Sequence, residues 1–296
     1  MFGYLFLAGA VLSSAARGFC AKKTSGYTPS AAAAVFTNII RLLLSSVAAL
    51  LFVLVTTDIS ALVPTPKMLL ISLLAGVSTA VLLVSWLLAA RKSAYMMLDI
   101  FLTMGVLLPM IGSSIWFGEQ VKLTQWIGFG ILLVAVIIMC SYNNTIKTKI
   151  TLSSLVLLLI AGISNGAADF SQKIFIKLIP DGNIAAFNFY TQLIATVVLV
   201  ITWFVVPKEP DTVKKIEFKK IFGYLTVMAI SLFTASYFKT LAANELPAAL
   251  VYPLNQGSSL IISALMAAMF FKEKINLKAV VGIILAFVGL ITINVL

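Results

Sequence analysis

The chain has 296 residues, 61% of them hydrophobic and 10% charged, with a mean hydropathy of +1.09, whereas a soluble domain carries roughly a quarter charged residues. Ten membrane spans of about 20 residues would use roughly 200 positions, so no soluble domain of ordinary size fits and the chemistry belongs inside the bilayer. There is no histidine, and the two cysteines, Cys20 and Cys140, lie in separate apolar segments, which argues against metal centres, histidine-based triads and disulfide frameworks. The net charge of +11 is scattered singly or in pairs between apolar runs, a pattern of membrane orientation rather than nucleic-acid binding.

Polar, proline and glycine punctuation predicts ten helices near 2–21, 31–55, 68–90, 94–116, 124–142, 152–179, 183–206, 221–243, 247–271 and 277–295. Only a helix satisfies its own backbone in lipid, and the alternating ten-residue strands of a barrel are absent. The first run starts directly after Met1 without a basic leader and carries Arg17, so it reads as a retained span rather than a signal peptide.

An ionisable group inside a span costs a few kcal/mol (about 2.5–3.5 on insertion scales) and is a functional candidate by default. In the first helix Arg17, with Ser13 and Ser14, reads either as a ligand for a substrate carboxylate or as a structural or snorkelling cation. In the fourth, Asp99 precedes Thr103 by one turn; it is a candidate proton carrier, because burial favours the neutral carboxyl, or a cap for neighbouring helix ends. The sixth helix is the clearest, since Asn165, Asp169 and Lys173 recur every four residues with Gln172 beside them and share one face. They line a central cavity, with Asp169 holding a cationic group or a coupling proton, or else Asp169 and Lys173 neutralise each other along the helix.

The eighth helix offers Tyr237, Phe238 and Lys239 opposite Ser85 and Trp86 of the third, as ring-stacking or membrane-interface residues. The ninth combines Pro253 with Tyr252, Asn255, Gln256, Gly257, Ser258, Ser259 and Ser263; Tyr252, Asn255 and Gln256 are candidate solute ligands beside a proline-freed carbonyl, against a bland reading as close helix packing.

An internal repeat divides the chain. A shift of 154 residues lays FGEQVKLTQWIGFG from Phe117 over FKEKINLKAVVGII from Phe271, matching Glu119 with Glu273 and Gly128 with Gly282. A shift of 152 sets Arg17 over Asp169. The glutamates at the two junctions read as local caps. Residues 1–142 and 152–296 thus form two five-helix halves, and because five is odd the second half enters the bilayer inverted, an arrangement that places a binding site at the midplane. The expected fold class is all-α integral membrane, ten transmembrane helices as two inverted five-helix repeats.

The stretch from Pro247 to Leu296, a small-residue helix, an FxE turn and a glycine-punctuated helix, resembles the last two helices of the drug/metabolite transporter superfamily, and in particular its small multidrug resistance branch. Ten helices in two repeats, with Arg41 early in the second helix, resemble the EamA-type branch. The resemblance implies a transporter that exports or imports amino acids, drugs or other metabolites.

Odd-numbered connections hold fourteen of the loop cations and even-numbered ones only Lys67, Lys122 and Lys177, so the positive-inside rule puts the odd loops in the cytoplasm and both termini outside. Ten-helix relatives are usually drawn with termini inside, and the orientation stays open.

The expectation is a secondary transporter in the cell membrane, moving a small polar or amphiphilic metabolite (an amino acid, organic cation or drug-like solute) by alternating access with proton or sodium coupling. Its site residues are Arg17, Asn165, Asp169, Gln172, Lys173, Tyr237, Tyr252, Asn255 and Gln256, with Asp169 and Asp99 as coupling candidates. No catalytic residue, cofactor, metal or nucleic acid is expected; the partners are the solute, the bilayer and a coupling ion, around a monomer. The competing reading is an integral-membrane enzyme or scaffold acting on lipids.

Overall fold

The structure, a computed structural model, describes residues 2–24, 27, 30–91, 95–141, 152–207, 212–213, 216–271 and 277–294. Glu273, the break at 142–151 and most odd-loop lysines lie outside them, as do the side chains of Trp86, Cys140 and Ser263. Every regular element among the described residues is helical: α1 (Phe2–Thr24), α2 (Ala31–Thr56), a 3-10 turn (Ile59–Leu62), α3 (Pro66–Arg91), α4 (Tyr95–Gly105), α5 (Leu107–Phe117), α6 (Leu123–Ser141), α7 (Leu152–Leu178), α8 (Ile184–Val205), α9 (Phe218–Glu245), α10 (Ala248–Phe271) and α11 (Leu277–Asn294). With α4 and α5 as one broken span there are ten, and seven spans are long and apolar enough over their described residues to cross a membrane.

Local chemistry starts these helices where polar side chains can serve their first N–H groups. Ser30 Oγ accepts from the Ala33 N–H at 3.0 Å, and Asn183 Oδ1 accepts from the Ala186 N–H at 2.9 Å. Within the spans several threonine hydroxyls donate back to the preceding turn, as Thr79 does to Ala75 O and Thr202 to Val198 O at 2.8 Å, which spares them from facing lipid unpaired. Val55, Ile115, Trp116, Phe204 and Ile291 are exposed on the outer surface, an apolar exterior suited to hydrocarbon solvent.

The continuous helix expected over 94–116 is interrupted, which corrects the sequence reading. Pro109 has no N–H for the carbonyl of Gly105, and its ring crowds that carbonyl, so the helix cannot pass through Val106 undisturbed. The Val106 N–H turns to Thr103 O at 3.1 Å, freeing Leu102 O, which accepts from Asn165 Nδ2 of α7 at 3.4 Å. The unpaired Gly105 carbonyl lies directly against Gly166 of α7, and a Cβ on Gly105, Gly162 or Gly166 would collide with backbone of the opposing helix. Broken α4–α5 is thereby pressed against the centre of α7.

The packing has a twofold regularity. α1 lies along α9 as α7 lies along α3; α2 meets α9 as α8 meets α3; α4 and α5 meet α7 as α10 meets α1; α4 touches α6 as α10 touches α11. α2 pairs with α8 and α6 with α11. Exchanging each span for the one five places on therefore preserves these neighbours. Tyr4 Oη donates to Asn294 Oδ1 at 2.7 Å and Asn183 Nδ2 to Thr57 Oγ1 at 3.2 Å, while Gly3 abuts Leu246. These contacts put both chain ends and the even-numbered connections on one face, called the terminal face below.

Candidate functional site

α7 runs between α3, α4–α5 and α9 and carries two charged groups one turn apart. Asp169 stands nine residues before the end of α7, about 13 Å below the terminal face at 1.5 Å per residue. Its carboxylate accepts from Lys239 Nζ of α9 in an ion pair whose side chains are only 9% and 17% exposed. Tyr252 of α10, 1% exposed, donates its hydroxyl to the backbone oxygen of Asp169 at 2.8 Å, locking α10 to α7 at that level. On the next turn Gln172 Nε2 donates to Ser236 Oγ of α9 at 3.3 Å, while its Oε1 is buried without a partner.

Two arginines extend the constellation. Ser13 Oγ of α1 accepts from Thr234 Oγ1 of α9 at 3.0 Å, and Arg17 follows one turn deeper, in the field of Asp169. Arg41 of α2, 9% exposed, feels the repulsion of Arg17, and its Nε is buried without an acceptor. Ser45 Oγ, one turn along α2, and Asn255 Oδ1 and Ser259 Oγ on α10 are buried and equally unpartnered. Buried polar atoms are overwhelmingly hydrogen-bonded in folded proteins, so each of these is an exception, as are Ser72 Oγ on α3, Ser113 Oγ on α5 and Thr191 Oγ1 and Gln192 Oε1 on α8. Tyr237 of α9 lies in an aromatic cluster with Phe52, Phe233 and Phe238.

The second group is complete in itself. Lys173, 2% exposed, pairs with Glu119 Oε1 at 2.7 Å and donates to Ala243 O at 2.8 Å and Leu246 O at 3.1 Å, satisfying the last carbonyls of α9. Glu119 Oε2 accepts from the Ala248 N–H at 2.8 Å, capping α10, and Lys177 approaches Glu119 Oε1 at 3.5 Å. Gly118, in the left-handed region at φ 66°, ends α5 and swings the chain so that Glu119 points across the terminal face. Glu119 is indeed a cap, but of α10 rather than of the helix that follows it.

Asp169 and Lys173 therefore do not neutralise each other along the helix; each has a partner elsewhere. Arg17 lies in the field of Asp169 and Tyr252 bonds to its backbone, Gln172 bonds to Ser236 of α9 one turn on, and Asn255 sits one turn along α10 from Tyr252, whereas Lys173 belongs to the closed cluster. Asn165 ties α7 to the broken fourth span, and Gln256 is half-buried without a hydrogen bond among the described residues. Asp99 is half-buried on α4, its backbone oxygen accepting from Thr103 Oγ1 at 2.7 Å. Sequence reasoning took Lys239 for an interface residue and gave Arg41 no role. It also passed over α8, where Asn188, Gln192 and Thr196 recur at the four-residue spacing that singled out α7 and are all buried.

Two hollows are described. One, about 300 Å³, lies at the terminal face over the closed cluster, between Glu119, Gln120, Lys177 and Asn244. The other, about 550 Å³, is an apolar groove between α4, α5 and α7 walled by Phe101, Leu108, Ile111, Trp116 and Leu159. Neither contains Asp169, Arg17 or Arg41. No group of three potential metal ligands occurs among the described residues.

Residues 152–295 match the EamA-like transporter family. The quaternary ammonium compound-resistance protein QacH of Staphylococcus saprophyticus is 30% identical over 77 residues, 26% of this chain and 71% of that protein. The chain belongs to the drug/metabolite transporter superfamily. The multidrug resistance protein EbrA of Bacillus atrophaeus is 34% identical over 70 residues, 24% of this chain, so the chain spans about 65% of that relative's length. A solved crystal structure shares the fold over 99% of this chain and 96% of its own, with a TM-score of 0.76 at 11% identity. This superfamily member is a multi-pass membrane protein.

Proposed function

We propose that this transporter moves a small polar organic solute by alternating access, residues 1–142 and 152–296 rocking as two inverted halves about the constellation at Asp169. The observation that carries this reading is that Arg17 and Arg41 of the first half and the Asp169–Lys239 pair of the second lie in one another's fields, with the buried Arg41 Nε unpartnered. Such a site at a repeat interface, beside a broken span and a proline-containing helix, is where secondary transporters bind cargo. The neighbour pattern that survives exchange of spans five apart supports the two-half description.

Energy comes from a solute or ion gradient, since the chain has no nucleotide-binding loop of GxxxxGK[ST] type. Asp169 is engaged by Lys239, and Asp99 on α4 is the second coupling candidate. The relatives' names point to quaternary ammonium compounds and drugs, so an organic cation ranks among the cargos to be tested.

The test uses the contact between Gly3 of the first half and Leu246 of the second. In proteoliposomes the pair Gly3→Cys and Leu246→Cys, once oxidised, is expected to stop solute counterflow and to release it on reduction. Counterflow that continues through the cross-linked protein contradicts rocking of these halves.

A further inference from the structure

The central constellation is unbalanced in charge. Among the described residues one carboxylate, Asp169, faces three cations, Lys239, Arg17 and Arg41. Lys239 takes Asp169 as its hydrogen-bonded partner. Lys173 and Glu119 settle each other at the terminal face, and Asp99 on α4 lies outside the field of either arginine. Among the described residues Arg17 and Arg41 are left with no carboxylate of their own.

A guanidinium does not escape burial by losing its proton, because its affinity for that proton is too high. Two of them within each other's field, in the low dielectric of a membrane protein, raise each other's cost, and the orphaned Nε of Arg41 adds an unsatisfied donor. An oxyanion removes all three penalties at once. Arginine forks match carboxylate and phosphate oxygens in bidentate geometry, and Gln172 Oε1 and Asn255 Oδ1 remain as buried acceptors for the hydroxyl or amide donors of the same molecule.

We infer that the cargo carries an oxyanion, a carboxylate or phosphate on a small organic molecule, which Arg17 and Arg41 clamp while the Asp169–Lys239 pair stays intact beside it. This inference rests on the proposed site. A permanent cation, by contrast, meets a net positive wall with its one carboxylate already occupied.

The first arm needs no cargo. Arg41→Gln and Arg17→Gln, each a polar replacement of similar length, are expected to raise the apparent melting temperature of the ligand-free protein by several degrees in nanodiscs of pure phosphatidylcholine. A fall for both variants shows that the arginines are already satisfied within the protein and overturns the inference. In the second arm, inorganic phosphate, succinate and tetraethylammonium are compared as stabilising ligands. Phosphate or succinate is expected to stabilise the native protein, and Arg41→Gln to weaken that effect at least tenfold. Stabilisation by tetraethylammonium alone, or by none of the three, overturns the inference.

Repeating the measurement with phosphatidylglycerol identifies the source of the oxyanion. Stabilisation that appears only with the anionic lipid assigns the clamp to a headgroup and overturns the cargo reading. Counterflow of labelled tetraethylammonium would leave transport standing while removing the anion. Oxyanion binding without any counterflow would do the opposite.

Discussion

Two buried charge clusters share α7, one turn apart, and they differ in completeness. At the terminal face Lys173 has a carboxylate and two carbonyls, and Glu119 has two lysines and a backbone N–H. Asp169 and Lys239 are paired, but Gln172 one turn along α7 and Arg41, in the field of Arg17, each bury an unpartnered atom. Both clusters carry the cost of bringing charge out of water. Only the first recovers it within the chain, so the first is architecture that fixes α5, α7, α9 and α10 together, and the second is the site proposed to be completed by a solute.

This contrast is open to breaking by substitution. Glu119→Gln has the largest expected effect, because it strands Lys173 in a buried position; thermal or denaturant unfolding in detergent is predicted to lose about 3–5 kcal/mol. If that variant is as stable as the native protein, the terminal cluster is not structural. Gly162→Ala comes next: its methyl group runs into the Phe101 carbonyl where α4 presses on α7, a cost of about 1–3 kcal/mol in the same assay. Tyr252→Phe removes one buried hydroxyl donor to Asp169 O and is expected to cost about 0.5–1.5 kcal/mol, with solute affinity changed less than stability. Lys177→Ala is the smallest, under about 1 kcal/mol, since this half-exposed arm reaches Glu119 only at 3.5 Å; a larger loss would mean that Lys177, not Lys173, anchors the cluster.

Much of this was legible in the residues. The spans followed from apolar length, and α7 stood out because Asn165, Asp169 and Lys173 repeat at the helical period. What escaped was partnership. Asp169 and Lys173 share a face, yet helix neighbours decided their contacts: α9 brought Lys239 to one, and the turn after α5 brought Glu119 to the other. Lys239 read as a helix-end residue because α9 was expected to stop near 243, whereas it runs to Glu245 and buries that turn. The break at Val106 was written in the Gly105 to Pro109 spacing, four residues apart, where a proline both lacks the donor and crowds the carbonyl. Its consequence, a free Leu102 carbonyl met by Asn165, depends on how closely two glycine-lined helices approach and has no local signal.

The most direct test of the central claim is solute counterflow by Asp169→Asn in proteoliposomes, with helical content checked by circular dichroism. Exchange abolished in a protein that is still folded is the predicted result, because loss of the carboxylate leaves three cations unopposed around the solute. Exchange at the native rate would contradict the assignment of this constellation as the transport site.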